Sequence, residues 1–412
     1  MKLCDEDKLL LYCSKILSEN SNTDELTQLI QKKLNWKKVV KKAKRHSIAS
    51  AMYCILSNLP NNKLIQEKYL LELKEDYLDT LGRNTIAFNE LNVLLKIFKQ
   101  ANIEVVLLKG AALLASVYPD VAYRFMSDID ILVRDSDLSK ARDCLLSHGY
   151  TQNISPYNLQ KKKSHHLPPF WNPAKNIRIE MHWTIRISDS DFNINMAEVW
   201  SRIQKTKTGE ADTFLLSPED MILHLSFHLF FSNVNVMIFR TLYDIAAIFQ
   251  YYGETIDGKL ITNCSIKYGL ETPVYAVLFL LKTQLSINVP AEVLSQLHAK
   301  SSTIQLNRMK VFHKQTALEN VGRNIYDTRG LKRKISFIFF LIFPSLNYVA
   351  HKYSLPANSK IVYLYYFIRP FHLLYKYIIS ALKTIGKFAN LFYRNISNQK
   401  IEKSINNIFA KR

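Results

Sequence analysis

Two acids one residue apart at the head of an apolar strand constrain this chain more than any other feature of its sequence. The segment reads Ser127-Asp128-Ile129-Asp130-Ile131-Leu132-Val133. Side chains alternate along a strand, so Asp128 and Asp130 share a face. Two like charges held together are unfavourable unless a cation sits between them. Oxygen-only ligands point to Mg²⁺ or Mn²⁺, ions that bridge protein carboxylates and substrate phosphates. About twenty residues upstream, the short β-branched run Ile103–Leu108 leads straight into Lys109-Gly110-Ala111-Ala112. That run predicts a strand, and the Ala- and Leu-rich Gly110–Val117 predicts a helix. The helix start would offer free amide donors to a phosphate, glycine allows close approach, and Lys109 adds a full charge.

A third acid completes the pattern. Ile177–Trp183 alternates as a strand and carries Glu180, and Asp137–His148 before it reads as a helix closed by Gly149. Asp128, Asp130 and Glu180 are therefore the candidate catalytic and metal-holding residues. Lys109, Gly110, Ala111, Arg124 and Ser127 form the candidate nucleotide-binding set, Arg124 either reaching a phosphate or making a structural ion pair. His182 shares the strand face of Glu180. With His165, His166 and Asp244 it makes up a candidate acceptor side. For His182 a structural role stays open, and for Asp244 a buried brace with Arg240. His224 and His228 are four apart on a predicted helix, where packing is the simpler reading than a metal site.

Elsewhere the chain reads as helix. Residues 1–100 show apolar residues at helical spacing over Asp24–Leu34 and Leu64–Lys99, with a turn at Pro60-Asn61-Asn62. After Thr208 helices are expected again, one opened by Ser217-Pro218-Glu219-Asp220. The result is an α+β chain, a small mixed sheet flanked by mainly helical N- and C-terminal regions. The expected divisions are a helical domain at 1–100, the sheet domain at 101–208, a helical domain at 209–330, and a basic, aromatic-rich helical region at 331–412. Five scattered cysteines without ligand spacing, and an N-terminus with early acids, predict reduced thiols and a cytoplasmic protein.

The formal net charge is +20. From Leu331 onward fourteen Lys or Arg stand against one acid, Glu402. This region is a candidate for contact with a polyanion or an anionic membrane surface. The apolar runs Ile335–Phe343 and Ile361–Ile368 fall short of the ~20 residues a bilayer span needs, so no transmembrane span is expected.

The order of these residues resembles the nucleotidyltransferase superfamily typified by DNA polymerase beta and the aminoglycoside nucleotidyltransferases. More narrowly, it is similar to the bacterial uncharacterised nucleotidyltransferase family. Leu107-Leu108-Lys109-Gly110, Tyr118-Pro119-Asp120, Arg124–Val133, His148-Gly149-Tyr150, His165–Pro169 and Ile179–Trp183 carry the likeness, with weaker pieces at His224, His228, Arg240, Leu242, Asp244 and Pro344-Ser345. The wider superfamily usually has Gly-Ser or Gly-Gly at the turn. Here Lys109 precedes Gly110 and Ala111 follows it, which leaves phosphate binding to backbone amides and Lys109. The resemblance implies a nucleotidyltransferase domain that moves a nucleoside monophosphate from an NTP, ATP by default, to an unidentified acceptor, in the setting of polysaccharide or natural-product assembly. Two rival readings are a catalytically silent nucleotide-binding scaffold and an RNA-acting nucleotidyltransferase.

Overall fold

The computed structural model describes residues 4–14, 23–152, 165–185, 194–231 and 238–300, together with the single positions 363, 373 and 375. The basic region 331–412 and its apolar runs thus lie outside the described residues but for those three positions. Residues Met1–Val311 belong to one compact unit.

Four short helices lead into one long one. They are α1 (Asp5–Cys13), α2 (Asp24–Ile30), α3 (Trp36–Arg45) and α4 (Ala49–Ser57), followed by α5 (Glu67–Gln100). The face of α3 shows why they pack. Trp36, Val39, Val40 and Ala43 are buried at helical spacing, and Asn35 caps the helix by accepting from the Lys38 amide. With Leu9, Leu10, Leu26, Met52, Leu56 and Leu73 they form an apolar core of their own, into which Tyr243 reaches from a later helix.

The sheet follows. Its strands are β1 (Val106–Leu107), β2 (Ile129–Leu132), β3 (Thr151–Gln152), β4 (Phe170–Asn172), β5 (Ile177–His182), β6 (Gln204–Thr208) and β7 (Ala211–Leu215). Helix α6 (Lys109–Ser116) connects β1 toward β2, α7 (Leu138–Ser147) connects β2 to β3, and α8 (Met196–Ser201) precedes β6. The order across the sheet is β3-β4-β5-β2-β1-β7-β6. Strand β2 runs parallel to β5 and antiparallel to β1, while β1 runs parallel to β7. This is a mixed sheet, as expected. Gly149 has the left-handed φ that a helix end favours, at +80°.

Two expectations need correction. The chain does not turn helical after Thr208. It makes a tight hairpin in which Thr208 pairs with Ala211, Gly209 takes a φ of +55°, and β7 continues to Leu215. A two-residue loop with a left-handed first residue matches the twist of the flanking strands. The alternation of Thr206 and Thr208 with Lys205 and Lys207 was the signal for this strand. The first strand is also shorter than Ile103–Leu108, because only Val106 and Leu107 find ladder partners.

Helices close the unit: α9 (Pro218–Phe231), α10 (Ile238–Tyr252), α11 (Gly258–Tyr268), α12 (Glu271–Leu285) and α13 (Ala291–Lys300). The start of α9 is capped as the sequence suggests, with the Ser217 hydroxyl accepting from the Asp220 amide at 3.2 Å. Leu107, Ile131, Ile179 and Phe170 of the sheet share one continuous core with Ile222, Ile245, Val274 and Leu281 of these helices. Among the described residues, no helix is long and apolar enough to cross a membrane.

Candidate active site

The register between β2 and β5 builds the site. Asp130 lies directly opposite Glu180, and Leu132 opposite His182. Partners in register point to the same side, so Asp130, Glu180 and His182 converge although fifty residues separate the strands in sequence. His182 Nε2 lies 2.9 Å from Asp130 Oδ1 and 4.0 Å from Glu180 Oε2. Among the described residues these three form the group whose ligand atoms all lie within 4.8 Å of one another. Asp128 is outside that group. It sits just before β2, half-buried, accepting a hydrogen bond from Ser127 Oγ at 2.9 Å.

Lys109 supplies the positive charge. Its Nζ is 2.7 Å from Asp130 Oδ1, the same oxygen that faces His182. Burial works against this ammonium, but Asp130, with Glu180 and Asp128 beyond it, outweighs burial and holds the lysine protonated. Burial likewise favours a neutral Asp130. Lys109 and His182 overcome it, and the carboxyl stays well below the usual carboxylate range. Asp128 is raised, first by burial and then by the negative charges of Asp130 and Glu180. The three acids therefore repel one another as their spacing suggested, and here a lysine sits among them.

Burial pushes the His182 imidazole down despite its hydrogen bond to Asp130, so the ring is neutral. A neutral imidazole that donates from Nε2 leaves Nδ1 as a bare acceptor. His182 is fully buried and its Nδ1 has no hydrogen-bond partner among the described residues. An unmet buried acceptor costs about 1–3 kcal/mol. Other histidines gather round it, with the rings of His165 and His166 centred 5.3 and 5.2 Å from that of His182. His165 is pushed down to about 2, by burial first and then by the neighbouring histidines and Lys109. From α9, His224 and His228 also feel Lys109, His182 and Asp130. His228 is pushed down to about 3, again by burial first. Packing alone thus describes these two incompletely, because the helix brings their shared face to the charged centre.

The turn at 109–110 carries backbone strain. Lys109, not Gly110, carries the left-handed φ, at +46°. A non-glycine residue there is strained by about 1–3 kcal/mol. Gly110 is required for another reason. A Cβ at this position would collide with Arg124 Nη1 and press on the Met126 side chain. Arg124 is turned toward α10, where Nε donates to Asp244 Oδ1 at 2.7 Å and Nη2 to Oδ2 at 3.0 Å. The Tyr118 hydroxyl donates to Asp244 Oδ1 at 2.9 Å. The brace anticipated for Asp244 is present, with Arg124 as the partner and not the adjacent Arg240. Its contact runs over 120 residues of sequence, and nothing local signals it.

A donor set of two carboxylates and an imidazole suits a divalent cation. Carboxylate oxygens favour Mg²⁺ or Mn²⁺, and an imidazole nitrogen is better tolerated by the softer of the two. The donor spacing fits one ion. Lys109, on the same oxygen of Asp130, is the cation such an ion would displace or share with.

The family model described as "Uncharacterised nucleotidyltransferase" matches residues 32–286, more than half of the chain, and the protein belongs to that family. Among solved structures the chain is similar to an antigenic nucleotidyltransferase-like protein from Paracoccidioides brasiliensis, at 14% identity and a TM-score of 0.32, over 52% of this chain and 93% of that one. A comparison with curated proteins finds no match.

Proposed function

We propose that the protein is a metal-dependent nucleotidyltransferase that moves a nucleoside monophosphate from an NTP to an unidentified acceptor. The observation that carries this reading is the placement of Asp130 opposite Glu180, with His182 completing the donor group and Asp128 close enough to feel the charges of both acids. Asp128, Asp130 and Glu180 would hold Mg²⁺ or Mn²⁺, with His182 as a neighbouring donor. When bound, the cation would neutralise negative charge on the triphosphate and on the transferring group.

The chain's own residues supply positioning. Lys109 keeps Asp130 ionised and stands at the start of α6, beside the amides of Gly110 and Ala111, where a phosphate is favoured. Ser127 orients Asp128. The reaction is an in-line displacement in which an acceptor oxygen bonds to the α-phosphorus and pyrophosphate leaves. Charge complementarity and alignment provide most of the rate. His182, His165 and His166 line the acceptor side, where the buried His182 holds Asp130 in place through Nε2. Arg124 and Asp244, each satisfied by the other, belong to the wall and do not contact nucleotide.

The test incubates the purified protein with each α-³²P-labelled NTP and Mg²⁺ or Mn²⁺, with and without host lysate, beside an Asp128→Ala/Asp130→Ala variant. Label should pass to an acceptor or to the protein itself and fall by at least ~10²-fold in the variant. No transfer, together with no metal-dependent NTP binding by calorimetry, sinks the proposal. One observation favours a second reading, that of a silent nucleotide-binding scaffold. Lys109 and His182 already satisfy Asp130 without a metal. Metal-dependent NTP binding without turnover would select that reading.

A further inference from the structure

Helix α5 runs for 34 residues and, among the described residues, keeps one apolar stripe exposed. Leu71, Leu78, Ile86 and Val93 are 49–54% exposed. Their spacing is symmetric about Gly82, with Leu78 and Ile86 four residues on either side and Leu71 and Val93 eleven on either side. At about 100° per residue, these offsets place all four within about 40° of the Gly82 direction. The stripe is therefore a palindrome on one face of the helix, with glycine at its centre.

Gly82 packs against none of the described residues. A Cβ built there meets nothing within 4 Å. Glycine is nonetheless the poorest helix former after proline, and it stands at the middle of the longest helix. Close approach of a second backbone would explain it.

The charges fix the direction of the approach. Near the stripe the first part of α5 carries Glu75 and Asp79, and the second carries Arg83, while Lys96 and Lys99 are paired with Glu210 and Asp212 of this chain. A parallel pairing sets acid on acid. An antiparallel pairing instead sets Glu75 against the partner's Asn89 and brings Asp79 beside the partner's Arg83.

We propose that α5 is a homodimer interface, in which two copies of this chain pack antiparallel about a two-fold axis at Gly82. Leu71 then meets the partner's Val93, and Leu78 meets the partner's Ile86. An isologous contact of this kind needs a self-complementary patch, which the palindrome provides. A crossing of about 20° keeps both ends of the stripe in contact. Arg83 and Ile86 also line a groove of about 220 Å³ that reaches Asp128, so the second copy forms an outer rim of that groove. The dimer itself does not depend on the transfer reaction.

The test is sedimentation equilibrium on the full chain at micromolar concentration, with cysteine mapping. The wild type should sediment at twice 47.9 kDa. Leu78→Glu/Ile86→Glu should sediment as a monomer with unchanged circular dichroism. Under mild oxidation, Leu78→Cys/Ile86→Cys should give a covalent dimer joined between positions 78 and 86, and Leu78→Cys alone should give no more than the wild type. A monomeric wild type, a dimer that survives the glutamates, or a 78-to-78 disulfide from the single variant would each overturn the proposal. So would a monomer whose stripe binds anionic vesicles.

Discussion

Two buried polar clusters flank the turn at Lys109-Gly110, and they are built on opposite principles. On one side Arg124, Asp244 and Tyr118 form a closed set. Both carboxylate oxygens are used, two guanidinium nitrogens donate to them, and both charged residues are almost wholly buried. On the other side Lys109, Asp128, Asp130, Glu180 and His182 form an open set. One oxygen of Asp130 faces two donors, three acids share a small volume, His182 has an unmet nitrogen, and Lys109 has a left-handed φ. The closed set joins α10 to the segment before β2. The open set concentrates unmet polarity, mutual repulsion and backbone strain at one place, the pattern expected where a ligand is to complete the arrangement.

The largest expected effect falls on the closed set. Arg124→Met strips Asp244 of its counter-charge in a buried site, and breaking such a pair costs about 3–5 kcal/mol. Urea unfolding should show that loss directly, and Arg124→Met/Asp244→Leu should recover much of it. If Arg124→Met leaves stability intact and weakens only NTP binding, the arginine belongs to the open set and the comparison fails.

Gly110→Ala comes next and tests the boundary. The added methyl meets Arg124 and Met126, so overpacking of about 1–3 kcal/mol is expected. A thermal melt should show the shift without any ligand present. Unchanged stability with lost nucleotide binding would instead make Gly110 a phosphate-approach residue.

A further effect separates the clusters by pH. Burial holds His165 down to about 2 and His228 to about 3, against an ordinary value near 6.5. Below pH 6.5 the unfolded chain takes up protons that the folded chain refuses, so stability falls as pH falls, from 6.5 down toward those folded values. The slope is about 1.4 kcal/mol per pH unit for each histidine once pH is well below 6.5. Melting between pH 7 and 5 should therefore steepen in the wild type and flatten in His165→Gln/His228→Gln. A slope unaltered in that variant would place the acid sensitivity elsewhere.

Local pattern made much of this protein legible. The step from β-branched Ile103–Leu108 to Ala-rich 110–117, the alternation of Ile177–Trp183 and the capping Ser217 each depend on neighbours a few residues away, and each element formed within a few positions of its reading. The choice of Asp128, Asp130 and Glu180 as a set came from strand alternation and acid spacing, with the family likeness behind it. The hairpin at 204–215 was readable too, from its threonines and Gly209, but the helices after it masked a short edge pair.

What the tertiary structure alone decided is which distant side chains meet. Asp130 with Glu180 required the parallel register of β2 and β5, and a slip of one residue would have turned one acid away. The lysine of the expected phosphate turn settled on Asp130, 21 residues on. Arg124 found Asp244 and not the carboxylates nearest to it in sequence, and His182 moved from a strand-face neighbour to the fully buried partner of Asp130. Sequence fixes the period of each element and the chemistry it carries, because those are set by steric and hydrogen-bonding rules over a few residues. The pairing of charges across 50 to 120 residues is set by how whole elements dock, since a buried charge takes the partner that packing delivers to it.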